Sequence, residues 1–251
     1  MKYFLIVSIF FNFIISACAT KTDPEADPDA KIITSDKIIL KAEFKPPSNS
    51  DKYTFVLLHG LGSDHKEWSN FADRLSQSGY GYLSVDLRGH GESIRTLSGK
   101  QIDMKYFGLQ GHGSEWGKMV TDMDMIIKYL IKKKGIKKNT ICFIGASLGA
   151  NISLIYSAKK KFIPFVILLS PGWNYAGLMI EPAIKQYDNR PLLICASPGD
   201  QYAYISCSRL LNMVKSKGLP VTFYEGKNKQ HGVQMFDGVF ENKIIDWIKT
   251  K

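Results

Sequence analysis

The chain has 251 residues, which is enough for one domain with a full hydrophobic core even after an N-terminal segment of different character is set aside. Its net charge of +10 does not favour nucleic-acid binding, because much of the lysine falls at the ends of predicted helices, at 132–134 and 159–161. Cations there complement the helix dipole, and the chain has no arginine–aromatic interleaving of the kind that binds bases. No nucleic-acid partner is therefore expected.

The first residues of the chain are typical of a targeting signal. A single lysine precedes an almost unbroken apolar run, 3–15, which as a helix is too short for the roughly 30 Å hydrocarbon core of a membrane. We therefore predict a signal peptide over 1–17. Ile15–Cys18 resembles the bacterial lipobox, so Cys18 is the expected lipidation site and a membrane-anchored lipoprotein of the bacterial cell envelope is expected. Ordinary signal cleavage, giving a secreted or periplasmic protein, is the alternative.

The chain after the signal divides into a short linker and one domain. Residues 18–30 are polar, interrupted by prolines and without apolar periodicity, which predicts a flexible tether. The domain is expected over 31–251 and opens with an antiparallel hairpin at 31–34 and 37–44. From Tyr53 onward, apolar β-rich runs alternate with helical segments, which favours an α/β fold with a mostly parallel sheet and helices on both faces. Helices are predicted over 66–78, 114–134, 147–159, 202–217 and 239–249, and strands over 81–86 and 165–170 in addition to the strands next to the catalytic motifs.

The most informative motif is the pentapeptide 145–149, Gly-Ala-Ser-Leu-Gly, between an apolar β-rich run at 140–144 and a segment with helical spacing at 150–158. A serine on such a strand-to-helix turn needs small neighbours two residues to either side, because the chain turns sharply. The helix that follows directs unpaired N–H groups and its positive dipole end toward a developing oxyanion. Ser147 is therefore the predicted nucleophile, since a serine that only caps a helix does not explain both glycines.

Two backbone N–H groups are predicted to form an oxyanion hole beside this serine. One belongs to Leu148, the residue after the nucleophile. The other belongs to Leu61, because the strand that begins at Tyr53 runs into the glycine-flanked turn His59-Gly-Leu-Gly62.

The remaining catalytic groups are predicted to lie just after two later strands. Asp200 comes after the apolar run at 191–196, and His231 lies in the loop after the strand at 221–225. The order Ser147, Asp200, His231 is that of an α/β-hydrolase triad. Among other acids, Glu225 also follows a strand, Asp188 precedes one, and Asp86 ends a strand but comes before the serine. The other histidines do not follow the last strand; these are His59, His65, His90 and His112.

Three of these segments also carry a family resemblance. His59-Gly-Leu-Gly62, Asp86-Leu-Arg-Gly-His-Gly-Glu-Ser93 and Gly145-Ala-Ser-Leu-Gly149 together resemble the monoglyceride-lipase-like and serine-aminopeptidase-like α/β-hydrolases, over roughly residues 31–251. The resemblance implies the α/β-hydrolase fold and a serine acyl-enzyme mechanism. It implies no particular substrate.

Two connections are expected to shape the entrance to the site. The glycine-rich loop 87–113 lies on the side of the sheet where ligands bind. The segment 171–190, where many relatives insert a helical cap, has room for one short helix but not for a cap domain. We therefore expect an open cleft, and leave open whether Trp173, Tyr175 and Met179 line it or only pack beneath it.

The expected activity is hydrolysis of carboxylic esters with small to medium acyl chains. The sequence shows no metal-ligand spacing and no phosphate-binding loop, so no cofactor is expected, and the expected partner is a small acyl substrate. No protein partner can be inferred. A serine peptidase or acyl-thioesterase would use the same groups, and a non-catalytic envelope lipoprotein is a further alternative that the complete set of catalytic residues argues against. A disulfide between Cys195 and Cys207 is left open.

Overall fold

The computed structural model describes residues 25–251, so the predicted signal peptide and Cys18 lie outside the described residues. The strands are β1 (Asp27–Ile33), β2 (Ile38–Lys45), β3 (Thr54–Leu58), β4 (Gly81–Val85), β5 (Arg95–Thr96), β6 (Ile141–Ala146), β7 (Val166–Leu169), β8 (Asn174–Tyr175), β9 (Leu178–Met179), β10 (Leu192–Ala196) and β11 (Val221–Glu225). The α-helices are α1 (Ser69–Gln77), α2 (Glu115–Lys132), α3 (Leu148–Lys159), α4 (Glu181–Gln186), α5 (Gln201–Ser216) and α6 (Val239–Lys249). None of these helices has both the length and the apolar character needed to cross a membrane.

One sheet forms the centre of the described domain. Its strands follow the order β1-β2-β4-β3-β6-β7-β10-β11, and the short β5 pairs with β2 beside this path. β2 is antiparallel to both β1 and β4, whereas every pair from β4 to β11 is parallel. The predicted α/β-hydrolase fold class, with its mostly parallel sheet, is confirmed.

Helices cover both faces of the sheet because side chains alternate along its strands. In β3, Phe55 and Leu57 pack in the core that includes α1 and α6, while Val56 and Leu58 pack in the core that includes α2, α3 and α5. All four side chains are fully buried. The carboxyl ends of the parallel strands therefore lie together at one edge, where the loops can form a site.

The ordered domain begins earlier than the sequence predicted. β1 starts at Asp27, inside the segment 18–30 that we predicted to be a tether, so that prediction is wrong for residues 27–30. Pairing with β2 orders this stretch, with Ala30 opposite Ala42. In addition, the Tyr129 hydroxyl donates to the Asp27 carboxylate at 2.8 Å. An edge strand of this kind needs few apolar side chains, which explains why the polar composition concealed it.

The connection between β7 and β10 contains no cap domain. It consists of the hairpin β8–β9 and the short helix α4, in agreement with the predicted minimal cap. Ala176 and Gly177 link the two hairpin strands and both have positive φ, 50° and 80°. Such a pair forms the two-residue turn that matches the twist of the flanking strands.

The cysteines of the described region are structural. Cys142, Cys195 and Cys207 are all free and buried, so the disulfide that the sequence left open is not formed here. Burial raises the pKa of each of these thiols, which keeps them protonated and unreactive.

Candidate active site

Ser147 occupies a strained turn between β6 and α3. Its φ of 52° and ψ of −116° lie in a region that residues with a side chain rarely adopt. A Cβ added to Gly145 would lie 2.2 Å from the carbonyl oxygen of Gly149, and one added to Gly149 would lie 2.1 Å from that of Leu58. Only glycine fits at both positions, which is the physical reason for the motif. The Ser147 N–H donates to Leu169 at 2.8 Å and so ties the turn to β7.

His231 and Asp200 form a hydrogen-bonded pair at the same edge of the sheet. His231 Nδ1 lies 2.6 Å from Asp200 Oδ2, and the residues follow β11 and β10 respectively. When Nδ1–H donates to the carboxylate, Nε2 carries the lone pair that can accept a proton. The loop is held by a bond from the Gly232 N–H to the Ser170 hydroxyl at 2.9 Å, a support that the sequence did not reveal.

The serine and the histidine open onto one cleft of about 270 Å³. The turn after β3 forms another wall: a Cβ on Gly60 would lie 3.5 Å from the Ser147 Cβ, and Leu61 lines the cleft next to it. Leu148 is the first residue of α3, and the earliest intrahelical hydrogen bond to the Ser147 carbonyl comes from Ala150. Helix geometry therefore leaves the Leu148 N–H without an intrahelical acceptor.

The other candidate acids are engaged elsewhere. Glu225 accepts a hydrogen bond from the Tyr204 hydroxyl at 2.7 Å. Asp188 pairs with Arg190. Among the described acids, Asp200 is thus the one that meets His231.

Two other histidines form hydrogen bonds that hold the turns around the cleft. His59 Nδ1 donates to the carbonyl of Gly60 at 2.7 Å, and its Nε2 accepts from the Leu87 N–H at 2.9 Å. Burial lowers the pKa of His59 to about 4, so this imidazole is neutral near pH 7. His65 lies 2.7 Å from Asp86, which raises the pKa of that histidine.

The motif 86–93 stabilises the fold. Asp86 Oδ1 accepts from the backbone N–H of His65 at 2.6 Å, and Oδ2 accepts from that of Glu92 at 2.7 Å. The buried Arg88 guanidinium donates to Asp122, and also to Asp36 and Glu115. Oxygen and nitrogen atoms of Asp64, His65 and Asp86 lie close enough together to hold a metal ion, but the hydrogen bonds of Asp86 already account for its position.

Glu67 is a residue of the cleft that sequence reasoning missed. Its Oε1 accepts the Gly60 N–H at 3.0 Å, and the side chain lines the cleft with Ser147 and His231. Burial raises the pKa of this carboxyl, and hydrogen bonds from the Ser63 side chain and the Gly60 N–H act in the opposite direction. The sequence offered one indication of this role, because Glu67 lies in the short helix that follows the glycine-flanked turn at 59–62.

The sequence does not decide whether Trp173, Tyr175 and Met179 line the cleft, and the structure places them in different surroundings. Trp173 packs against the main core, with the Arg209 guanidinium 5.7 Å from its ring centre. Met179 lines a separate groove of about 260 Å³ along α2 and α3. Tyr175 also packs against the main core, and the Tyr202 ring lies 5.5 Å from its ring centre.

The predicted loop wall, 87–113, contributes less to the cleft than expected. A Cβ on Gly62 would lie 3.8 Å from Met104, so the loop touches the turn after β3. Further along, the Gly111 N–H donates to the carbonyl of Ala176 at 3.3 Å and braces the hairpin. The loop thus supports both sides of the site, although none of its residues lines the cleft that holds Ser147.

A separate cavity lies away from these groups. Its volume is about 590 Å³, and it is formed by the segments 46–50 and 135–140. These segments precede β3 and β6, so the cavity lies at the amino ends of the parallel strands. It contains neither a histidine nor a carboxylate that could activate a nucleophile.

Comparisons with known proteins identify the family of this chain. The family model described as serine aminopeptidase, S33, matches residues 49–197, which is more than half of the chain. A putative esterase/lipase of Mycoplasma genitalium is 24% identical over 132 residues. That match covers 51% of this chain and 40% of the relative, so it spans less than half of the relative's length.

Solved structures show the same fold at low sequence identity. A dienelactone hydrolase from Anabaena variabilis has a TM-score of 0.63 at 13% identity, covering 91% of this chain and 97% of its own. A Pyrococcus furiosus esterase has a TM-score of 0.66 at 18% identity, covering 90% and 91%. The Butyrivibrio proteoclasticus protein Est1E, solved with bound ferulic acid, has a TM-score of 0.63 at 17% identity, covering 88% and 97%.

Proposed function

Since this chain belongs to the serine aminopeptidase S33 family and is a serine hydrolase of the α/β-hydrolase fold, we propose that it hydrolyses carboxylic esters through Ser147, His231 and Asp200. The observation that carries the proposal is the 2.6 Å His231–Asp200 pair, whose histidine lines the same cleft as the strained Ser147. The similarity to a putative esterase/lipase favours an ester over a peptide substrate.

The proposed reaction forms and then breaks an acyl-enzyme. Ser147 Oγ attacks the ester carbonyl while its proton passes to His231 Nε2, and Asp200 holds the imidazole in the required tautomer. The N–H groups of Leu61 and Leu148 stabilise the oxyanion, each contributing about 3 kcal/mol. His231 gives the proton to the departing alcohol. A water molecule then releases the acyl group by the same steps in reverse order.

Labelling with a fluorophosphonate tests this proposal directly. We expect the purified protein to react with one probe molecule per chain, because the activated serine attacks phosphorus as it attacks a carbonyl. The Ser147→Ala variant should not be labelled. A panel of esters, thioesters and aminoacyl amides then separates the esterase from the thioesterase and the peptidase. Absence of labelling, or preference for the amide, would contradict the proposal.

The acyl specificity that we propose follows from the small connection between β7 and β10. With only a hairpin and α4 there, little apolar surface can enclose a long chain, and each buried methylene contributes only about 0.8 kcal/mol. We expect kcat/KM to rise over p-nitrophenyl acetate to hexanoate and to be lower for palmitate, without interfacial activation. A preference for palmitate or for emulsified triglyceride would indicate a lipase instead.

We also propose that the protein is anchored to the bacterial envelope through Cys18. The support is the sequence 15–18, Ile-Ser-Ala-Cys, after an apolar segment. Lipoprotein modification adds several acyl chains, which bind a membrane far more firmly than one. Cys18→Ser should therefore move the protein from the detergent phase to the aqueous phase, or leave the precursor uncleaved. An unmodified N-terminus at Thr20 in mass spectrometry would instead establish plain secretion.

A further inference from the structure

The peptide between Gly60 and Leu61, in the turn after β3, is held by its carbonyl. This oxygen, which belongs to Gly60, accepts from His59 Nδ1 at 2.7 Å and from the Ser63 N–H at 3.2 Å. A trans peptide is planar, so its N–H points away from its carbonyl. The Leu61 N–H therefore points away from both donors, and it has no acceptor among the described residues.

The peptide before it, between His59 and Gly60, needs a restraint of its own. Gly60 has no side chain, and glycine adopts many combinations of φ and ψ, so bonds to one of its two peptides leave the turn free to pivot. Glu67 supplies the second restraint, because its Oε1 accepts the Gly60 N–H at 3.0 Å. With both peptides held, the φ and ψ of Gly60 are fixed, and so is the direction of the Leu61 N–H.

Glu67 can hold this turn because the short helix that carries it, His65–Trp68, is itself anchored in the fold. Trp68, the residue after Glu67, is fully buried. At the start of the helix, the His65 N–H donates to Asp86 Oδ1 at 2.6 Å, and this bond is buried as well. A buried hydrogen bond is costly to break, so the backbone of Glu67 keeps its position relative to the sheet.

The turn lies directly against the nucleophile. A Cβ on Gly60 would lie 3.5 Å from the Ser147 Cβ, and Leu61 and Glu67 line the cleft together with Ser147. Removal of one oxyanion donor typically costs about 10²–10³-fold in kcat, and a misplacement of about 1 Å can cost about 10²-fold. A change in the φ or ψ of Gly60 would therefore be enough to slow the reaction.

We propose that Glu67 is a positioning residue, whose Oε1 holds the Gly60 N–H so that the Leu61 N–H faces the oxyanion. The inference rests on the proposed ester-hydrolase function, with Leu61 as an oxyanion donor. Glu67 transfers no proton and touches no reacting atom. Because the same oxyanion forms in acylation and in deacylation, the loss of this hydrogen bond slows both steps.

Two substitutions of Glu67 separate its hydrogen bond from its charge and its size. Glu67→Gln keeps an acceptor oxygen at the Oε1 position, whereas Glu67→Met keeps a similar length without that oxygen. With p-nitrophenyl butyrate, we expect Glu67→Met to lose about 30-fold in kcat while KM changes less than about threefold, since the oxyanion exists only near the transition state. Glu67→Gln should keep at least about half of kcat, although it has lost the charge.

The affinity for a transition-state analogue gives a readout that a merely structural role of Glu67 would not change. A trifluoromethyl ketone forms a tetrahedral adduct with the serine, and the oxyanion of this adduct occupies the oxyanion hole. Its inhibition constant should rise in Glu67→Met by about the factor by which kcat falls, about 30-fold, and should change little in Glu67→Gln.

Asp64→Ala is the matched control, since it loosens the same short helix without a contact to Gly60. Asp64 Oδ1 accepts the Lys66 N–H at 2.8 Å and so caps the start of that helix. Its loss should reduce stability, as the loss of a cap does, while kcat stays within about twofold.

Three results would overturn the proposal. Equal losses of kcat in Asp64→Ala and Glu67→Met would assign the effect to the rigidity of the helix. A Glu67→Gln variant as slow as Glu67→Met would assign it to the charge of Glu67. A Glu67→Met variant with unchanged kcat and inhibition constant would show that the turn needs no restraint from Glu67. An unaltered protein that cleaves no ester and takes no fluorophosphonate instead contradicts the proposed function, and with it this inference.

Discussion

The backbone of Ser147 stores strain that its hydroxyl does not relieve. At φ 52° and ψ −116°, any residue with a Cβ is disfavoured by about 1–2 kcal/mol, so alanine and serine are strained alike. We expect Ser147→Ala to fold with nearly unchanged stability and to lose at least about 10⁴-fold in kcat. Ser147→Gly should be equally inactive but more stable by about 1 kcal/mol in urea unfolding. A folded alanine variant that still cleaves the ester would exclude Ser147 as nucleophile.

Within the loop 87–113, two glycines with positive φ allow a matched comparison of alanine substitutions. Gly91 has φ 50°, and a Cβ there would lie 2.2 Å from Asp86 Oδ2, the atom that accepts the Glu92 N–H. Gly99 has φ 82° and no heavy atom within 4 Å of an added Cβ. Gly99→Ala should therefore cost about 1 kcal/mol of unfolding free energy from backbone strain alone.

Gly91→Ala carries the same strain and must also displace the Asp86 carboxylate. Because that carboxylate is buried and holds the backbone of His65 and Glu92, we expect a total cost of about 3 kcal/mol or more. Urea unfolding of both variants measures the difference. Equal costs would mean that Asp86 does not clamp this turn.

Helices and strands that show their own hydrophobic periodicity in the sequence were predicted well. Strands that form only by pairing with another strand were not. The elbow at Ser147 could be predicted because its glycines and helix are local in sequence. By contrast, β1 over 27–30 is ordered by pairing with β2, and the two-residue strands β8 and β9 are too short to show alternation. The place of Glu67 in the cleft depends on the backbone N–H that lies opposite its carboxylate, and only the folded chain shows which one that is.

For the whole molecule, the buried histidines make stability depend on pH. Burial holds the folded pKa of His59 at about 4, below its ordinary value of 6.5, so the unfolded chain binds more protons between these pH values. The stability contributed by neutral His59 is thus present above pH 6.5 and is lost as pH falls toward 4. Burial lowers the pKa of His90 as well, so His90 acts in the same direction as His59. Asp86 instead raises the pKa of His65, and this histidine therefore stabilises the folded state below pH 6.5.

A variant that cannot titrate at position 59 isolates this effect. Between pH 7 and pH 5, we expect the free energy of unfolding of the natural chain to decrease by about 2 kcal/mol relative to that of His59→Asn. Urea titrations of both proteins at the two pH values give the comparison. Parallel pH dependence in the two proteins would show that His59 takes up its proton as readily folded as unfolded.

The direction of β1 decides which way the molecule would face on a membrane. β1 is antiparallel to β2, and β2 to β4, so β1 runs with the parallel strands and Asp27 stands at their amino ends. Ser147, Asp200 and His231 stand at the carboxyl ends. A lipid attached ahead of Asp27 would join the domain at the amino ends of the parallel strands. The mouth of the cleft would then lie on the opposite side, toward the surrounding water. Such a protein would meet substrates that diffuse past the envelope rather than lipids embedded in it.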